Sequence, residues 1–243
     1  MSKWFYSKEQ LEIIADKINR QFYPQRLVEM TPLDCYDLLE KLGLEVEWKY
    51  ITPSLDVQGM FFVEDGECYV WPHGNLREGD VPKLEKFQKN TIVINQNLLD
   101  KKTYRQKELF VCTHEIGHSI KDRDYFRAHQ KNKIQMCSEN TLNRCYWDET
   151  MSEEDVIESQ NNYFTAALLM PREVIKRQFF KILKFRNIPF EPLEFKAYMK
   201  KAIAEMAKGF GVNYNPVLYR LCDTGVLDRE SVPNSYDSHR KEM

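Results

Sequence analysis

Residues 114–118 read His-Glu-Ile-Gly-His, and no other stretch limits the possible folds of this chain as tightly. Two imidazoles at i and i+4 converge only on a helix, where residues four apart share one face. In a strand the same two side chains would stand about 13 Å apart. On a helix they can hold one zinc ion at about 2.0–2.1 Å each. Glu115 lies about 100° further round, where its carboxylate can reach water on such an ion without becoming a ligand. With five histidines in 243 residues, the pattern arises by chance in about one such chain in a hundred. The helix and a further donor must therefore be found independently.

The helix is readable. From about Thr103 the apolar period becomes helical, through Leu109, Cys112, Thr113, Ile116 and Ile120. A zinc centre that does chemistry needs three protein ligands and an open position. The helix that follows, from near Ser152 to Met170, offers Glu158 as third ligand. Glu153, Glu154 and Asp155 compete with it, as first-turn acids favoured by the helix dipole. Asn162, one turn beyond Glu158, could orient a histidine from outside the ligand set. A developing oxyanion would need a donor besides the metal; His129, Tyr125 and Tyr163 are the candidates, and the sequence does not choose among them. His129, Cys137 and Cys145 match no structural zinc spacing.

Elsewhere the pattern predicts an α+β chain. Residues 7–20 read as a helix capped by Ser7, with Gln10 completing a capping box. Thr31-Pro32 opens a second, with Thr31 as cap, that stops at Gly43. Leu44, Val46 and Trp48 alternate with charged residues as in a half-buried strand. Residues 59–64 and 67–71 flank Asp65-Gly66 and predict a hairpin. Residues 72–89 read as loop, 91–95 as a short strand, and 121–151 as polar and irregular. The strands around Gly59–Trp71 or 91–95 could offer an edge to an extended substrate. Later helices begin at Pro171, span 192–208 with Gly209 or Gly211 as the stop, and open again at Asn215-Pro216. One domain is expected over 1–232, with a sheet-bearing half (about 1–100), a helical half (about 101–232) and a polar tail at 233–243.

Composition excludes several classes. A net charge of -2 gives no basic field for direct nucleic-acid binding. No apolar run approaches the roughly 20 residues of a membrane span. The first residues lack the apolar core of a signal peptide. Six cysteines without a C-x-x-C pair read as reduced thiols. A cytoplasmic setting is expected.

Two segments carry a family resemblance. Residues 110–118, Phe-Val-Cys-Thr-His-Glu-Ile-Gly-His, and 158–171, from Glu158 through Asn162 and Phe164 to Leu-Leu-Met-Pro, resemble the ImmA/IrrE family of zinc metallopeptidases. The family pattern is close to F-T-x-x-H-E-x-G-H followed by E-x-x-A-N-x-F-A-x-x-L-L-M-P. Residues 32–46 and 207–226 resemble its flanking helices, so the likeness reaches over about 10–228. Asn161 and Thr165 stand where the family usually has Ala, and 121–151 is longer and more polar than usual. The resemblance implies a small antiparallel or mixed sheet packed on a helical zincin-like core. It implies one zinc on His114, His118 and Glu158, with Glu115 catalytic. It further implies cleavage of a regulatory protein, such as a helix-turn-helix repressor or an antitoxin, in phage or mobile-element circuits. A non-proteolytic metal-dependent sensor on the same fold is the alternative, and manganese or iron also suits two His and a carboxylate.

Overall fold

A computed structural model describes residues 4–100, 105–129, 134–138 (backbone alone) and 150–232. The fold is mixed α+β. Two helices lead, α1 (Lys8–Phe22) and α2 (Cys35–Leu42). Five strands follow: β1 (Glu45–Lys49), β2 (Val57–Phe62), β3 (Gly66–Val70), β4 (Lys83–Phe87) and β5 (Thr91–Asn95). Then come α3 (Arg105–Gly117), α4 (Arg123–Ala128), strand β6 (Ile134–Ser138), α5 (Glu153–Leu169), α6 (Arg172–Ile182), α7 (Met199–Phe210) and α8 (Tyr214–Asp223). Among the described residues no helix is long and apolar enough to cross a membrane.

The main sheet has the order β1-β5-β2-β6. β1 runs parallel to β5, and β2 is antiparallel to both β5 and β6. Its central strands β2 and β5 are buried on both faces because both are covered. Phe61, Ile92 and Ile94 join the large core beneath α3. Met60, Phe62 and Val93 pack with Cys68, Val70 and Phe87 of a separate β3–β4 ribbon. The large core draws on residues from Leu11 to Val232 and centres on α5, against which α1, α3 and α8 pack.

Local signals explain the helix ends. Ser7 and Gln10 form the reciprocal capping box on α1. Gly43 closes α2 at φ +64°, a left-handed position that suits glycine. Ser152 caps α5, and Gly211, not Gly209, closes α7.

Several expectations are corrected. Asp34, not Thr31, caps the second helix, accepting from the backbone of Tyr36 and Asp37. Arg26 holds the Thr31 carbonyl, which keeps 31–34 extended. The chain bends just before Gly66, which is already part of β3, but the flanks do not pair: both sides of β2 are taken by β5 and β6, and β3 pairs with β4. Residues 72–89 contain β4, and 121–151 contain α4 and β6. Neither β2 nor β5 has a free edge, so neither can accept a further strand; the sheet's outer strands are β1 and β6. The helix expected over 192–208 starts only at Met199, because Leu193 bridges to Leu227. Cys145, the side chain of Cys137 and the 233–243 tail lie outside the described residues; Cys35, Cys68, Cys112 and Cys222 are free thiols.

At one end of α5 the core encloses a charged network. Arg220 donates two hydrogen bonds to Glu12 at 2.6 and 2.8 Å, and the Tyr163 hydroxyl donates to Glu12 at 2.8 Å. Burial alone would push the Glu12 carboxyl up, but Arg220, Tyr163 and Arg172 hold it below its ordinary 4.5. Its contribution to stability is therefore present above about pH 4.5 and is lost as pH falls through the lowered folded value. Arg220→Met would strand a buried carboxylate. It should cost about 3–5 kcal/mol in urea unfolding at neutral pH, and the added substitution Glu12→Met should recover much of that.

Candidate metal centre

The helix α3 is buried along its C-terminal half: His114, Glu115 and His118 are each 0% exposed. It lies between the sheet and α5, and each side comes unusually close. A Cβ on Gly59 of β2 would stand 2.7 Å from Glu115 Oε1 and 2.8 Å from Val111 Cγ1. A Cβ on Gly117 would stand 2.2 Å from Asn161 Oδ1 on α5. Asn161 donates to the His114 carbonyl at 2.8 Å, tying the helices together at the site.

That approach brings Glu158 onto both imidazoles. Nε2 of His114 lies 3.0 Å from Nε2 of His118 and 3.2 Å from Glu158 Oε2. Nε2 of His118 lies 3.3 Å from Glu158 Oε1. Donors on a tetrahedral ion with bonds near 2.0–2.1 Å stand roughly 3.3 Å apart, so the spacing fits a single cation. These three residues are the buried group that could hold a metal ion among the described residues. Of the competing acids, Glu153, Glu154 and Asp155 sit in the more exposed first turn of α5, whereas Glu158 is buried.

Beyond His118 the helix widens into a π turn over His118–Asp122, a feature frequent at functional sites. Nδ1 of His118 donates to Asp122 Oδ2 at 2.7 Å. Among the described residues, Nδ1 of His114 and both carboxylate oxygens of Glu115 meet no hydrogen-bond partner although buried. Orphaned polar atoms of this kind are rare in a finished core.

Electrostatics follow from burial and pairing. Burial pushes the Glu115 carboxyl up to about 8, against the pull of His118 and with a further push from Glu158. Burial also lowers His114. It would lower His118 too, but the carboxylates of Glu158 and Asp122 overrule it and bring that ring up to about 9. Glu158, which burial would raise, is held well below the carboxylate range by the two imidazoles.

The other sequence candidates are placed as follows. Asn162 is buried on α5 one turn past Glu158. Asn161 holds the His114 carbonyl and Asp122 the His118 ring, two contacts that the sequence reading did not name. The i+4 spacing of Asp122 from His118 was the available signal. Tyr125 is buried, its ring 4.2 Å from that of His129. His129 donates Nδ1–H to the Tyr125 carbonyl at 2.9 Å and turns its other nitrogen toward Glu153, 3.7 Å away. Tyr163 spends its hydroxyl on Glu12, which removes it from the oxyanion candidates. A surface cavity of 510 Å³ between the starts of α2 and α3 includes none of the three donors.

No protein-family model matches the chain, and no curated protein matches it either.

The geometry sets an expectation for metal uptake. The chain should bind one divalent ion, and His118→Ala or Glu158→Ala should remove it, as equilibrium dialysis with metal analysis would show. Metal-free His118 keeps its proton up to about pH 9, and a ligand imidazole must be neutral. Affinity should therefore rise with pH through neutrality toward 9, with proton release on binding. A flat pH profile would contradict the ligand assignment.

Proposed function

We propose that the chain is a zinc-dependent endopeptidase on a zincin-like core of the ImmA/IrrE type. The observation that carries this reading is Glu115: a wholly buried carboxylate with no hydrogen-bond partner among the described residues, one residue along from His114 and beneath Gly59. A structural metal site has no use for such a group, and neither does a sensor that performs no chemistry. The reading is also supported by the likeness of residues 110–118 and 158–171 to that family's motifs.

His114, His118 and Glu158 would hold the ion, leaving one position open. When bound, it supplies a Lewis acid that polarises a carbonyl oxygen and acidifies nearby water. Glu115 takes the proton from the attacking water and delivers it to the departing amine. Asp122 keeps the His118 imidazole in place meanwhile, and Asn161 holds the backbone of His114. An extended substrate segment is proposed to lie along the outer side of β6, where no further strand pairs among the described residues. The substrate class follows the resemblance: a regulatory protein such as a helix-turn-helix repressor or an antitoxin.

Glu115→Gln is the direct test. It should retain bound metal and lose at least about 10²-fold in cleavage. Co-expression with the product of the adjacent gene, read by gel, should give a shortened partner with the wild type only. A chelator should abolish that product. Persistent cleavage by the Gln variant would remove Glu115 as the base.

A further inference from the structure

We propose that Asp122 is a positioning residue for the metal centre, and that Lys121 locks it in that role. The inference rests on the reading that His114, His118 and Glu158 hold a dication. An imidazole offers a ligand through one nitrogen only, and the hydrogen bond at the other decides which. His118 donates Nδ1–H to Asp122 at 2.7 Å, so its lone pair sits on Nε2, the atom that faces His114 and Glu158. Among the described residues His114 has no such partner on its Nδ1, and Asn161 holds its backbone carbonyl instead. Of the two imidazoles, His118 is the pre-set one.

Lys121 is the unexpected member. Lysine almost never lies fully buried without a partner, and its long stem usually carries the ammonium to water. Here the side chain is 0% exposed, against 2% for that of Asp122. Its ammonium straddles both carboxylate oxygens, at 2.7 and 2.6 Å. That clamp has two effects. It fixes the plane of the carboxylate so that one oxygen stays on His118. It also opposes the pull of a nearby dication, which would otherwise draw a buried carboxylate into its open position. Asp122 therefore supports a ligand instead of becoming one.

The test uses the full-length protein. In zinc-loaded wild type, long-range ¹H–¹⁵N spectra should show His118 bound through Nε2, with a slowly exchanging proton on Nδ1. Asp122→Ala should weaken zinc about 10- to 100-fold in competition with a chromophoric chelator. Asp122→Asn, which still accepts from Nδ1–H, should lose less. Lys121→Met should speed exchange of the Nδ1 proton. Binding of His118 through Nδ1, or wild-type zinc affinity in Asp122→Ala, overturns the proposal; an unchanged Nδ1 proton in Lys121→Met removes Lys121 from it. If the wild type takes up no zinc, the metal centre itself fails, and this inference with it.

Discussion

Donors on two helices can share one cation only if the helices nearly touch, and that closeness governs this molecule. Between α3 and α5 it is made possible by Gly117, whose missing side chain leaves room for Asn161. Between α3 and β2 it is made possible by Gly59. An alanine at either place would meet a polar side-chain oxygen at less than 3.0 Å. The reward for the first contact is geometric: Glu158, less than one turn before Asn161, reaches both imidazoles. The second seals Glu115 against the sheet and away from bulk water.

Helix α5 is buried over most of its length, yet it carries Glu158, Gln160, Asn161, Asn162 and Thr165. Two charged networks touch it, and they differ in kind. Around Glu12, Arg220, Tyr163 and Arg172, acids and bases are matched and the carboxylate is hydrogen-bonded on both oxygens. Such a set contributes to a unique packing and asks for nothing more. Around His114, Glu115 and Glu158, three buried polar atoms lack hydrogen-bond partners among the described residues. Broken local rules of satisfaction are commoner at functional sites than elsewhere.

Much of this was legible in the sequence because it is local. Capping by Ser7 and Ser152, the left-handed Gly43, and the His-Glu-Ile-Gly-His helix each depend on residues within a turn or two. The misreadings have tertiary causes. Strand β4 is exposed and charged along most of its length, so it has no apolar alternation to find. The Asp65-Gly66 hairpin fails because β2 finds better partners on both sides, one of them in a polar segment more than 70 residues away. Asp122 was at a readable spacing from His118. Lys121 gave no signal, since a lysine in a polar stretch is ordinarily solvated. Nothing in a sequence announces that a neighbour will draw it inside.

The span of these contacts bears on how the chain matures. Glu12 and Arg220 are 208 residues apart, and α1 must wait for α5 before its apolar face is covered. Contacts of such long reach form late and slowly. While the polypeptide is still leaving the ribosome, the two histidines of α3 emerge well before Glu158. A nascent chain halted there would present a pair of imidazoles with no third donor and no helix to lean on. The candidate metal group of His114, His118 and Glu158 is thereby complete only once α5 has followed α3 out of the ribosome.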